Sequence, residues 1–108
     1  MRRGELWVAA GGGDYRGKPR PVVIVQDDRF EHSNSVTVCA LTSDPTDAPL
    51  FRVALSPSPE NGLHEACRVM VDKITTVRRE RLNRRIGALS DKDMRRIDQA
   101  ILVFLGIA

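Results

Sequence analysis

The sequence has 108 residues, of which 42% are hydrophobic, 29% charged and only 5% aromatic, so it predicts one soluble domain with a modest core of Val, Ile and Leu. Its net charge of +3 favours anionic partners only weakly. Two cysteines without zinc-site spacing exclude a disulfide scaffold and a cysteine zinc site, and no apolar stretch reaches the length of a transmembrane helix.

The first segments of the chain are a predicted strand and a glycine-rich loop. Residues 4–10 (GELWVAA) group three apolar side chains and predict the first strand. Residues 11–18 (GGGDYRGK) predict a flap, because they lack the Gly-Lys-Ser/Thr ending of a phosphate-binding P-loop. Tyr15 lies among cations, which suits base stacking with phosphate contact, although a surface turn explains it equally well.

No apolar segment follows the paired arginines Arg2 and Arg3, so we expect no export signal and a cytoplasmic protein.

The second predicted strand begins at an arginine that lies between two prolines. Residues 21–25 are all apolar, which predicts a strand buried on both faces. The proline that follows Arg20 restrains its backbone, so the guanidinium is held at the mouth of this strand. Spacing alone favours an arginine that only solubilises the strand end. A further β-rich run, 36–44 (VTVCALTSD), ends in Thr42 and Ser43, and if the two strands are neighbours Arg20 would face Thr42 across a shared cleft.

Short strands separated by turns occupy the middle of the chain. Residues 27–34 are polar and long enough for one helical turn. Cys39 lies inside the apolar strand 35–42 and is expected to be a buried thiol. Residues 67–77 (CRVMVDKITTV) predict the longest strand, with a bulge near Lys73 that would reset its alternation. The remaining elements are a strand over 51–55, a turn over 56–62 and a short strand over 84–89.

One helix is predicted at the end of the chain. Ser90, with Asp93 three residues later, resembles a capping box in which Asp replaces Glu. Apolar residues then recur at helical spacing: Met94, Ile97, Ile101, Phe104 and Leu105. Residues 101–107 are apolar nearly all round, which predicts burial beyond the core of one monomer, as in a dimer interface.

These elements predict a single domain over residues 1–108 that is mainly β with a C-terminal α-helix. About six short strands and one helix suit a small, partly open β-barrel with the helix against one end. Five arginines lie within residues 78–85, which fits a solvated face, an ion-paired hairpin or a nucleic-acid footprint. His32 and His64 lie in loops that we expect to be far from the strand ends, and no metal-binding motif is present. An enzyme built on this chain would therefore work without a metal ion or a histidine base.

The order of the motifs resembles the MazF/PemK toxin family over residues 3–107. The motifs are RGELWVA, a glycine-rich flap, PRPVVIV, VTVCALTS, MVDKITTVRRERL and IGALS, followed by the terminal helix. This resemblance implies the Src-homology-3-like barrel that the family shares with the gyrase poison CcdB. It also implies a sequence-specific endoribonuclease that needs no cofactor, forms a homodimer and is neutralised by a cognate antitoxin.

The resemblance assigns roles to individual residues. The catalytic arginine of the family precedes the apolar strand in an Arg-Pro pair, which matches Arg20, and the catalytic threonine closes the next strand, which matches Thr42 with Ser43 beside it. The flap departs from the family, since it offers Asp14 and Tyr15 where many members carry a glutamate. The residues expected to contact RNA are Asp14, Tyr15, Arg16, Lys18, Lys73 and Arg78.

The chemistry of RNA cleavage fits these residue types. Attack by the 2′-hydroxyl needs stabilisation of the charge that develops on phosphorus, and a planar guanidinium can hold two phosphate oxygens at once. A threonine hydroxyl adds a positioned donor. The general base stays open, because arginine rarely gives up its proton. Two alternatives are a non-enzymatic, CcdB-like gyrase inhibitor on the same fold and a plain nucleic-acid-binding barrel.

Overall fold

The computed structural model describes residues 1–10, 19–46, 48 and 50–108. The predicted flap lies outside these residues. The RNA contacts expected from Asp14, Tyr15, Arg16 and Lys18 therefore lie outside the described residues as well.

The described chain forms strands joined by short turns, followed by one α-helix. The strands are β1 (Glu5–Ala9), β2 (Arg20–Ile24), β3 (Ser35–Thr42), β4 (Arg52–Leu55), β5 (Cys67–Met70), β6 (Thr75–Arg78) and β7 (Leu82–Ala88), and the helix is α1 (Asp91–Phe104). All strand pairs are antiparallel, in the order β4-β5-β3-β2-β1-β7, with β6 also paired to β3. The prediction of a mainly β fold with a C-terminal helix is confirmed, and β4 and β7 lie at the two ends of an unclosed sheet.

The predicted long strand over 67–77 is divided into β5 and β6 by a 3₁₀ turn, Val71–Lys73. Both pieces pair with β3, but in different registers: Thr42 faces Arg68, whereas Val38 faces Thr75. From Thr42 to Val38 is four residues along β3, whereas the paired positions Arg68 and Thr75 are seven residues apart. The three extra residues of the β5–β6 segment form the turn. Val71 in this turn is fully buried, which gives the interruption a packing reason. The sequence located the irregularity correctly but predicted a bulge where a whole turn is inserted.

The core has two parts because β2 and β3 are buried on both faces. Alternate residues of β2 point to opposite sides of the sheet. Val23 packs with Leu6 and Ile97 beneath the helix, in the first cluster. Val22 and Ile24 belong to a second cluster on the other side, which also contains Val36 and Val38 of β3. This confirms the doubly buried strand predicted over 21–25. Cys39 is fully buried, as predicted, and burial raises the pKa of its thiol to about 12.

The helix begins and packs as its sequence predicts. The Ser90 side chain accepts a hydrogen bond from the backbone N–H of Asp93 at 3.1 Å, which caps the first turn. Met94, Ile97 and Ala100 are buried against the sheet. The C-terminal apolar residues remain exposed in the single chain: Leu102, Val103, Phe104, Leu105 and Ile107. Among the described residues, no helix is long and apolar enough to cross a membrane.

Candidate active site

Arg20 and Thr42 lie at the same end of two neighbouring antiparallel strands. Arg20 is the first residue of β2 and Thr42 the last of β3. In this pair Val22 faces Ala40 and Ile24 faces Val38, and the same register, continued by two residues, brings Arg20 opposite Thr42. Opposing residues of an antiparallel pair carry their side chains on the same face. The expectation that the two strands are neighbours is therefore confirmed.

A cleft of about 530 Å³ opens at this end of the sheet and contains both residues. Ser43 also lies on its wall, so the three catalytic candidates from the sequence are brought together. Arg84 and Arg85 of β7 add two guanidinium groups, which makes the cleft suitable for phosphates. The lining residues are Pro19, Arg20, Pro21, Leu41, Thr42, Ser43, Gly62, Leu63, His64, Glu65, Cys67, Arg84, Arg85 and Ile86.

The Thr42 hydroxyl is held in place by the chain that follows it. Thr42 is 9% exposed, and its Oγ1 accepts a hydrogen bond from the backbone N–H of Asp44 at 3.1 Å. A hydroxyl that accepts one bond keeps its own proton available for donation. The Asp44 carboxylate accepts hydrogen bonds from the hydroxyl and the backbone N–H of Thr46, and these bonds lower the pKa of Asp44. The hydroxyl is therefore oriented by the backbone and can donate into the cleft.

Part of the cleft wall is formed by a turn that is built around a buried amide. Asn61 is 3% exposed, and its Oδ1 accepts hydrogen bonds from the backbone N–H groups of Ser58 and Leu63, both at 3.0 Å. Its Nδ2 donates to the backbone oxygen of Ser56 at 2.9 Å. One side chain thus satisfies three backbone groups of a proline-rich loop.

This turn also lies directly against β7. Gly62 has a φ of +69°, and a Cβ there would come within 2.4 Å of the Ile86 backbone oxygen. A Cβ at Gly87 would come within 2.4 Å of the Glu60 backbone oxygen, and the Ala88 N–H donates to that same oxygen at 2.9 Å. The two backbones approach so closely that only glycine fits at both positions. The wall is consequently fixed to the sheet.

His64 lines the cleft with Arg20 and Thr42, so the expectation that both histidines lie far from the strand ends was wrong for this residue. It lies in the loop before β5, which the Asn61 turn folds back onto β7. His32, in contrast, lies between β2 and β3 at the start of β3, the end away from Thr42. The Asn-Gly pair at 61–62 predicted the turn, but the placement of His64 depends on contacts distant in sequence.

The predicted RNA contacts Lys73 and Arg78 are not part of this cleft. Lys73 is exposed in the 3₁₀ turn between β5 and β6. Arg78 faces Ser35 at the start of β3, seven residues and roughly 23 Å of strand from Thr42. It forms an ion pair with Glu80 at 3.7 Å. The predicted arginine cluster is thus divided between the two ends of the sheet, with Arg84 at the cleft and Arg78 at the far end.

A second groove, of about 630 Å³, lies between β4 and α1 and contains none of the catalytic candidates. Its lining residues are Leu50, Arg52, Val53, Ala54, Arg68, Lys92, Arg95, Arg96, Gln99, Ala100 and Val103. Within residues 1–10, 19–46, 48 and 50–108, no group of three or more His, Cys, Asp or Glu is arranged to hold a metal ion.

Comparison with known proteins identifies close relatives over nearly the whole chain. The family model described as PemK-like, MazF-like toxin of type II toxin–antitoxin system matches residues 2–105. The chain is 54% identical over 108 residues to a probable endoribonuclease MazF of Mycolicibacterium smegmatis, covering 100% of this chain and 99% of the relative. It is 30% identical over 116 residues to endoribonuclease MazF9 of Mycobacterium tuberculosis, covering 99% and 98%.

Solved structures share the fold. A mycobacterial endoribonuclease in complex with its cognate antitoxin superimposes with a TM-score of 0.83 at 25% identity, covering 100% of this chain and 97% of the other. The MazE–MazF crystal structure (Form-III) from Deinococcus radiodurans gives a TM-score of 0.81 at 17% identity, covering 100% and 98%, and supports the fold alone.

Proposed function

The chain belongs to the PemK-like, MazF-like toxins of type II toxin–antitoxin systems, and we propose that its Arg20–Thr42 cleft cleaves single-stranded RNA. The observation that carries this proposal is the meeting of a guanidinium, a hydroxyl and two further arginines in one cleft. The names of two close relatives, both called endoribonucleases, agree with it. Messenger RNA is the proposed target, and the cytoplasm, where it is found, is the proposed location.

The proposed reaction is attack by the RNA on its own backbone. The 2′-oxygen bonds to phosphorus and gives up its proton, while the bond from phosphorus to the 5′-oxygen breaks and that oxygen gains a proton. The products are a 2′,3′-cyclic phosphate and a 5′-hydroxyl. Arg20 would bind the two non-bridging oxygens as their charge grows, and Thr42 would donate a further hydrogen bond, with Ser43 beside it. No step of this scheme calls for a metal ion.

Two partners follow from the exposed surface and from the family. The exposed apolar end of α1, which includes Phe104 and Leu105, suits a homodimer interface, and Phe104 packs on Phe51 with ring centroids 6.2 Å apart. One solved relative is an endoribonuclease bound to its cognate antitoxin. An antitoxin with an acidic, disordered tail would suit the cationic cleft and exclude RNA from it.

The experiment that tests the proposal is cleavage of a long RNA by the purified protein in the presence of EDTA. We expect fragments that end in a 2′,3′-cyclic phosphate and begin with a 5′-hydroxyl. RNA with hydrogen in place of the target 2′-hydroxyl should bind without being cut. A 5′-phosphate product, or cleavage that EDTA abolishes, contradicts the mechanism. A protein that cuts no RNA at all contradicts the function.

A further inference from the structure

Among the described residues that line the cleft, three titratable side chains other than arginine have no role in the reaction so far: His64, Glu65 and Cys67. Arginine keeps its proton, so Arg20 can stabilise charge but is a poor proton carrier. Cys67 also reaches the cleft wall, but burial raises the pKa of its thiol and keeps it protonated. His64 and Glu65 remain, both exposed on the wall formed by the loop before β5.

We propose that His64 is the general acid of RNA cleavage and that Glu65 is the general base, an assignment that rests on the proposed endoribonuclease function. Glu65 accepts the proton of the attacking 2′-hydroxyl as the new oxygen–phosphorus bond forms. The His64 imidazolium gives a proton to the 5′-oxygen as its bond to phosphorus breaks. The proton taken up by the carboxylate then returns to the imidazole through solvent, which restores both groups.

The loop that carries these side chains is anchored at both ends. Upstream, the Asn61 amide oxygen accepts the Leu63 N–H at 3.0 Å, and Gly62 lies directly against Ile86 of β7. Downstream, the Cys67 thiol donates to the Glu65 backbone oxygen at 3.4 Å. Side chains that exchange protons with a substrate need this kind of fixed backbone, because misplacement lowers the rate. Both side chains are exposed, so substrate and solvent can reach them.

Arginines from two strands line the same cleft as this pair. Arg20 of β2 and Arg84 and Arg85 of β7 line the same cleft, and Arg85 is paired with Glu5 of β1 at 3.1 Å. These cations bind the phosphate, while an imidazolium and a carboxylate supply the two proton transfers. A site with the arginines alone would stabilise the transition state but would leave both transfers to water.

Leaving-group substitution tests the general acid directly. In an RNA whose 5′-bridging oxygen at the cut site is sulfur, the leaving thiolate needs no proton, whereas ordinary RNA needs one. We expect His64→Ala and His64→Gln to cleave ordinary RNA on the order of 10²-fold or more slowly, and the sulfur-substituted RNA at close to the wild-type rate. Glu65→Gln should slow both substrates, because both need a base. His32→Ala, at the other end of the sheet, should leave both rates unchanged.

The outcomes separate this assignment from the proposed function. Wild-type rates for His64→Ala on ordinary RNA, or an equal loss on both substrates, overturn the role of His64 as acid. A Glu65→Gln variant with full activity overturns the role of Glu65 as base. In either case an active wild type and an impaired Arg20→Ala leave the endoribonuclease function standing. A wild type that cuts neither RNA overturns both.

Discussion

Arg20 and Thr42 end two adjacent strands at positions that the antiparallel register brings opposite each other. Both residues belong to strands, so the sheet sets the position of their backbones. Arg20 begins β2 between two prolines, and Thr42 is held by a bond from the backbone of Asp44. The sheet thus carries the residues that we propose stabilise charge, and the anchored loop on the cleft wall carries His64 and Glu65.

Replacing Arg20 should impair cleavage more than any other single change at the strand ends. Arg20→Ala removes the group proposed to bind the developing charge, and loss of one such donor lowers the rate on the order of 10²–10³-fold. Arg20→Lys should not restore the rate, because an ammonium cannot form the two-pronged contact. Single-turnover rates on one RNA measure both effects. Arg29→Ala, an exposed arginine outside the cleft, is the control and should be fully active.

Thr42→Val should lower the cleavage rate less than Arg20→Ala. The substitution keeps the shape of the side chain but removes the hydroxyl that would donate to the phosphate, and it leaves the Asp44 N–H without its bond. A small loss of stability, about 1 kcal/mol, should accompany the slower rate. Denaturant unfolding and single-turnover kinetics on the same preparation separate the two effects. A variant that is slightly less stable but fully active would limit Thr42 to a structural role.

Asn61→Ala should destabilise the protein by about 2–3 kcal/mol, since three hydrogen bonds of a buried amide are lost at roughly 1 kcal/mol each. The turn would also loosen its hold on the loop that carries His64. Asn83→Ala, at an exposed position of β7, is the matched control and should change the free energy of unfolding by less than about 0.5 kcal/mol. Equal stability of the two variants would contradict the role given to the Asn61 turn.

The exposed apolar end of α1 predicts that the protein forms a homodimer. Phe104→Asp places a charge in the proposed dimer interface, where its burial would be unfavourable, so the variant should sediment as a monomer and cleave RNA poorly. Phe30→Asp is the control: Phe30 is more exposed, at 57% against 45%, but lies in the 3₁₀ turn between β2 and β3. A stable wild-type monomer with full activity would rule out the dimer as the active form.

The sequence predicted the local elements better than the contacts between them. Runs of β-branched residues indicated strands such as Ser35–Thr42, and Ser90 marked the helix start, because both depend on neighbouring residues. The 3₁₀ turn Val71–Lys73 was missed because the alternation of apolar and polar residues over 67–77 is also what a bulged strand would show. The burial of Val71, which explains the turn, is visible only in the structure. His64 was misplaced for a related reason. Its loop is folded by contacts with β7, which lies about twenty residues further along the chain.

The division of the arginines leads to a prediction about salt dependence. For single-stranded RNA, each phosphate contact contributes about 0.7 to the slope of log affinity against log salt concentration. Arg84 lines the cleft, so Arg84→Ala should flatten the slope by about 0.7 even for an uncleavable RNA of about four nucleotides that fills only the cleft. Arg78 lies at the far end of β3 and should matter only for a longer RNA that extends along the sheet. Arg78→Ala should therefore leave the short RNA unaffected and flatten the slope for the long one. If Arg84→Ala changes neither the affinity nor the slope for either RNA, the cleft arginines are only solvated. If Arg78→Ala flattens the slope for the short RNA, the separation of the two ends of the sheet is contradicted.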